Sequence, residues 1–219
     1  MSMEFVRTPI LDRFYQQFLR DENSARFICS TTQVYCIGTL HRLALYGQRL
    51  TRRAASLAIG FLGDMTSNET MGRCLRDGDR AVRMLADHGL RQIWSRSGGP
   101  MEQSTLRRIT RLNQRSQFHV ALDLAEQLCE DNRYLAEAWN QRAIASFGLS
   151  EYDRAIDYAQ ETVFLNRYHF LTVVGMGNAF LQLDNVQAAL ESFRLALDIN
   201  PDLDNVRGQV QHLEKIQGE

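Results

Sequence analysis

The chain has 219 residues, 44% of them apolar and 23% charged, with a formal net charge of −1. That is enough for a substantial core or for a stack of about ten helices. The longest weakly polar run, Phe170 to Leu183, is broken by Asn178 and Gln182 and is too short to span a bilayer. The N-terminal MSMEFVRTPILDRF lacks an apolar signal core, so the chain reads as soluble and cytoplasmic, with no membrane partner.

The near-neutral total hides an asymmetry. Residues 1–101 hold 14 Arg against 9 acids, whereas residues 102–219 hold 11 basic against 17 acidic groups, and Lys215 is the only lysine. Cys29, Cys36, Cys74 and Cys129 form no C-x-x-C pair, and three of them have apolar helical neighbours. They read as reduced, buried thiols.

Thr8-Pro9 reads as a helix start, a hydroxyl cap followed by proline where its missing N–H costs nothing. Leu11, Phe14, Tyr15, Phe18 and Leu19 follow at helical spacing, predicting a capping helix over residues 9–20. Asp21-Glu22-Asn23-Ser24 interrupts it. Phe27 and Ile28 then lead into a longer helix predicted from Thr32 to about Tyr46.

Residues 51–64, TRRAASLAIGFLGD, and 82–94, VRMLADHGLRQIW, share a pattern at an offset of 31. Arg52, Ala55, Ala58, Ile59 and Leu62 meet Arg83, Ala86, Gly89, Leu90 and Ile93, and Leu75 to Asp79 supplies an aspartate-bearing turn ahead of the second. Residues 32–96 resemble the HEAT-like repeat family, with helix pairs near 32–51 and 67–94. Thr51 and Arg91 depart from it, standing where valine and a small residue are usual. The resemblance implies that arginines at the helix starts pair with aspartates such as Asp77, Asp79 and Asp64.

Ser97-Gly98-Gly99-Pro100 is the clearest break in the chain. It divides an N-terminal part, residues 1–96, from a C-terminal part, residues 102–219, across a linker at 97–101. So short a tether predicts that the two parts pack as one continuous superhelix.

Beyond the break a frame of 34 residues recurs. Thr105, Ile109, Ala121, Ala125 and Leu128 meet Trp139, Ala143, Ala155, Ala159 and Thr162, which in turn meet Val173, Gly177, Ala189, Phe193 and Ala196. The ends also agree, at Asn132-Arg133, Asn166-Arg167 and Asn200-Pro201. Residues 102–135, 136–169 and 170–203 thus resemble three tetratricopeptide repeat (TPR) motifs. Residues 204–217 form a capping helix, apolar at Val206, Val210, Leu213 and Ile216. The expected fold is all-α: a right-handed α-solenoid of helix pairs, HEAT-like repeats followed by TPR motifs.

The TPR resemblance implies a non-catalytic scaffold that needs no cofactor and binds another protein, as a peptide or helix, in a concave groove. Positions 2, 5, 9, 12 and 13 of each motif line that groove in the family. Here they give Gln103, Leu106, Thr110, Asn113 and Gln114, then Glu137, Asn140, Ile144, Phe147 and Gly148, then Leu171, Val174, Asn178, Leu181 and Gln182. The carboxylate clamp of chaperone-binding TPR domains needs Lys and Asn where this chain has Leu106 and Thr110, which argues against a C-terminal carboxylate ligand. An apolar segment, its backbone held by Asn140 and Asn178, fits better.

Two alternatives stand beside this reading. From Arg42 to Arg115 there are 14 Arg against 6 acids, so Arg52, Arg53, Arg80 and Arg83 are candidates for an anion-binding face. The scarcity of interleaved aromatics argues against nucleic acid. The second alternative is an accessory subunit of an enzyme. Gly175-Met176-Gly177-Asn178 lacks the strand that a phosphate loop needs, Cys29, Cys36 and His41 lack zinc spacing, and Gly148-Leu149-Ser150 lacks the second glycine of a nucleophile elbow.

Overall fold

The computed structural model describes residues 9–218, so Thr8, the expected cap of the first helix, lies outside the described residues. Among those described there are thirteen α-helices, one 3-10 helix and no strand. None of the helices is long and apolar enough to cross a membrane. The chain divides into two compact units between Ile93 and Trp94.

The first unit contains α1 (Ile10–Asp21), α2 (Ser24–Val34), α3 (Ile37–Tyr46), α4 (Arg49–Leu62), a 3-10 turn (Met65–Ser67), α5 (Asn68–Cys74) and most of α6 (Arg80–Ser95). Pro9 sits at the N-cap position of α1, one place earlier than its sequence suggested. The single helix expected from Thr32 to Tyr46 is instead split between α2 and α3. Tyr35 is extended (φ −122°, ψ 132°), and its hydroxyl accepts the otherwise orphaned Leu11 N–H in the first turn of α1, at 3.3 Å.

Ala54, Ala55, Ala58 and Ile59 of α4 are fully buried. A Cβ built on Gly60 would lie 3.2 Å from the Gly89 Cα, so α4 and α6 cross backbone to backbone at this glycine pair. Cys74 and Cys129 are buried, and burial raises their thiols to about 11 and about 12 respectively. The expectation of burial fails for Cys29 and Cys36, which are exposed. Cys36 lies at the N-cap position of α3, outside the helix, with its sulfur against the Thr39 hydroxyl at 3.3 Å.

The second unit runs through α7 (Pro100–Gln114), α8 (Phe118–Asp131), α9 (Ala136–Gly148), α10 (Tyr152–Leu165), α11 (Phe170–Gln182), α12 (Val186–Ile199) and α13 (Asp204–Gly218). Here the period of 34 is written in the backbone. Ser116, Ser150 and Asp184 all adopt positive φ (57°, 63° and 56°) just after α7, α9 and α11. Behind them the N–H groups of Gln117, Glu151 and Asn185 reach back to Leu112, Ser146 and Phe180, each at 2.9 Å. That is the Schellman closure, which satisfies the last carbonyls of a helix.

The next turn repeats as well. The side chains of Asn132, Asn166 and Asn200 each accept the N–H two residues on, at 3.1 Å.

The repeats divide their core volume differently. The first uses Ile109 with Ala125, the second Ala143 with Ala159 and the third Gly177 with Phe193, and none of the six is more than marginally exposed. Where the third repeat has no side chain on α11, the Phe193 ring fills the space. Beyond it Val206, Val210 and Leu213 of α13 close the apolar cluster around Ala189, Leu190 and Phe193.

Candidate functional site

The first helix of each repeat, α7, α9 or α11, carries the residues expected to line a groove. The structure separates them into a buried set and an open set.

The buried set is a polar network. Asn113 donates to the carbonyl and the side-chain oxygen of Gln141, each at 3.0 Å. Gln141 and Asn140 both donate to Glu137 Oε1, at 2.8 and 2.9 Å. The other Glu137 oxygen lies 3.2 Å from His169 Nε2. On the other side of the ring, Nδ1 lies 2.7 Å from the Thr172 hydroxyl oxygen and 3.4 Å from the Thr172 N–H, and that hydroxyl donates to Asn140 Oδ1 at 2.6 Å. Burial pushes the Glu137 carboxyl up, but the hydrogen bond and charge of His169, helped by Gln141 and Asn140, outweigh it and hold it below its usual range.

Trp94 closes this network. It is 3% exposed, stacks on the His169 ring with centroids 4.1 Å apart and planes at 20°, and leans on Phe170 at 5.5 Å. Glu137 was among the groove positions singled out in the sequence, whereas Trp94, His169 and Thr172 were absent from them. A signal was available: Glu137–His169 and Asn140–Thr172 are two polar pairs at the same offset of 32, close to the repeat length.

Three expectations are corrected by this arrangement. Asn113 and Asn140 are buried, with their amide donors engaged inside the protein rather than offered to a ligand. Leu106 is 2% exposed and belongs to the core cluster of Ile109, Ala121 and Ala125.

The open set is mostly apolar. Ile144 is 42% exposed and Leu171 37%, while Thr110, Val174, Asn178 and Leu181 are half-buried. Phe147 meets Tyr152 edge-on at 5.4 Å, and the exposed Gln182 accepts from the Tyr152 hydroxyl at 3.3 Å. Gly148 is walled off, since a Cβ there would sit 2.5 Å from the Phe118 ring. Gly175 to Asn178, the stretch compared with a phosphate loop, lies inside α11.

Three of the four arginines considered for an anion site, Arg52, Arg53 and Arg83, behave as internal ties. Arg52 grips Asp77 with two bonds (2.7 and 2.9 Å), and Arg53 grips Asp79 likewise (2.8 and 2.6 Å). Arg83 donates to the Asp77 carbonyl at 3.0 Å, and Arg80 is exposed. Asp79 also accepts the Val82 N–H in the first turn of α6. The Arg53 bonds, with that N–H, bring its carboxyl down to about 2. Asp64 pairs with no arginine among the described residues; it accepts from the N–H and hydroxyl of Thr66.

No family model matches the sequence. No curated protein matches it either. Solved structures do match in fold. The first TPR domain of Spaghetti (RPAP3), solved bound to an HSP90 peptide, superposes with a TM-score of 0.51 at 16% identity, covering 54% of this chain and 94% of that one. The first TPR domain of human RPAP3 gives 0.52 at 17%, covering 55% and 95%. The chain therefore carries a TPR fold of stacked helix pairs. The comparisons add nothing to the HEAT-like reading of residues 32–96.

Proposed function

We propose that this chain is a protein-interaction scaffold that receives an apolar peptide or helix on the open part of its α9–α11 face. One observation carries the reading. The thirteen residues of α11 include no charged side chain, yet Leu171 is exposed, Val174 and Leu181 are only half-buried, and Ile144 of α9 is exposed as well. A helix that is apolar on several sides ordinarily has them covered. In this reading Asn178 holds the ligand backbone, and Ile144, Leu171 and Leu181 provide its apolar anchors. Asn113 and Asn140 shape the floor from below.

The HSP90 peptide belongs to Spaghetti. Leu106 and Thr110 supply no cation for a terminal carboxylate, so we propose an internal apolar segment as ligand. The carboxylates gripping Arg52 and Arg53 argue against the anion-binding alternative.

The test is capture from extract of the native cell by the wild-type chain and by an Ile144→Asp/Leu171→Asp variant whose circular dichroism matches it. The proposal expects the variant to lose proteins that the wild type retains at both low and high salt. Equal capture by the variant, or wild-type capture that vanishes at high salt, would overturn it.

A further inference from the structure

The chain neutralises many of its surface arginines internally, as in Arg26–Asp21, Arg91–Asp87, Arg194–Glu214 and Arg207–Asp204. Helix α7 is different. Arg107, Arg111 and Arg115 follow one another at intervals of four, all exposed, and none has an ion pair among the described residues. Residues four apart sit on one face of a helix, so these like charges repel one another and cost the isolated chain stability.

Three of the six corresponding positions in the next two repeats are buried. Gln141 and Ala145 match Arg107 and Arg111 in the second repeat, and Ala179 matches Arg111 in the third; they are 5%, 0% and 1% exposed. The first repeat thus leaves Arg107 and Arg111 open where the second repeat buries both counterparts and the third buries one, while Leu149 is half-buried and Gly175 and Leu183 are exposed.

The complement is on the same chain. On α10, Asp153, Asp157 and Glu161 also follow at intervals of four, exposed and with no ion pair among the described residues. Steps of four along a helix advance about 6 Å, so both rows place three charges over about 12 Å at the same spacing. They sit on different helices of one copy, and those two helices share no extensive contact.

We infer that the α7 arginine row of one copy docks on the α10 carboxylate row of a second copy. Such a contact is heterologous: each copy gives one row and receives on the other, so assembly continues into chains or closes as a ring. With exposed ion pairs at its centre the association is weak and strongly salt-dependent. The inference is independent of the ligand proposed for α9 and α11.

The experiment is sedimentation velocity of the full chain over a range of concentrations. One series runs at about 0.01 M salt and one at about 1 M, where the screening length falls from roughly 30 Å to 3 Å. The expected result is a mass that climbs with concentration at low salt and returns to the monomer at high salt. Arg107→Glu/Arg111→Glu/Arg115→Glu and Asp153→Arg/Asp157→Arg/Glu161→Arg should each weaken association by about tenfold or more. Mixing these two variants should restore it, because each then meets the opposite charge. Glutamine at the three arginine positions, milder to the fold, should also abolish it. A wild type that stays monomeric at low salt, variants that associate like it, or folded variants that fail to rescue each other would each overturn the inference.

Discussion

Gly177→Ala tests the division of volume in the third repeat. An added Cβ would fall 2.5, 2.8 and 3.0 Å from three carbons of the Phe193 ring. Ordinary carbon contacts begin near 3.5 Å, so the ring would have to withdraw by about 1 Å. It has nowhere open to go, because Phe193 is 0% exposed and hemmed in by the α13 cluster. Overpacking of this kind costs about 1–3 kcal/mol. Against it stands the usual preference of a helix for alanine over glycine, worth about 1 kcal/mol. The clash should outweigh it, with a net loss of up to about 2 kcal/mol in urea unfolding followed by circular dichroism. In a Phe193→Leu background the same substitution should become neutral or stabilising, since the ring edge is gone. A gain of about 1 kcal/mol from Gly177→Ala alone, as propensity by itself would give, would refute the packing argument.

Ala155→Leu should also destabilise by about 1–3 kcal/mol, since Ala155 is 3% exposed on α10, which packs against α9; an unchanged unfolding midpoint would contradict that. Ser150→Gly should stabilise by about 0.5–1 kcal/mol, because Ser150 holds a left-handed conformation that costs a side chain more than it costs glycine; a loss in the same urea titration would count against it. Acid should loosen the first unit through Asp79, whose carboxyl lies at about 2 when folded against 3.8 ordinarily. A depressed carboxylate gives its full stabilisation above about pH 5 and loses it as pH falls toward 2, on the order of 1–2 kcal/mol here. Asp79→Asn should flatten that part of a pH-dependent urea series, and an unaltered slope would remove Asp79 as the cause.

The repeat architecture was legible because it is periodic. Small residues at fixed offsets and the recurrent Asn132, Asn166 and Asn200 report local turn chemistry that the structure reproduces. The α2–α3 break was not legible, since the extended Tyr35 is tied to Leu11, 24 residues away. Exposure of Cys29 and Cys36 was hidden for a similar reason: apolar neighbours along a helix do not say which side meets solvent. At the site, Ile144 is exposed and Asn178 half-buried, and repeat position did not reveal that Asn113 and Asn140 are buried. Their partners, Gln141 and Thr172, lie one helix pair further on, and Trp94 comes from ahead of the first motif.

The central claim is that a partner segment lies on the open α9–α11 face. A photo-crosslinking residue placed in the full chain, at Ile144 in one protein and at His119, exposed on α8, in another, tests it most directly in the native cell. The account predicts a foreign protein joined at Ile144 and absent at His119, with the adduct lost when Leu171→Asp is added. Adducts to the same protein from both positions, or from His119 alone, would contradict it.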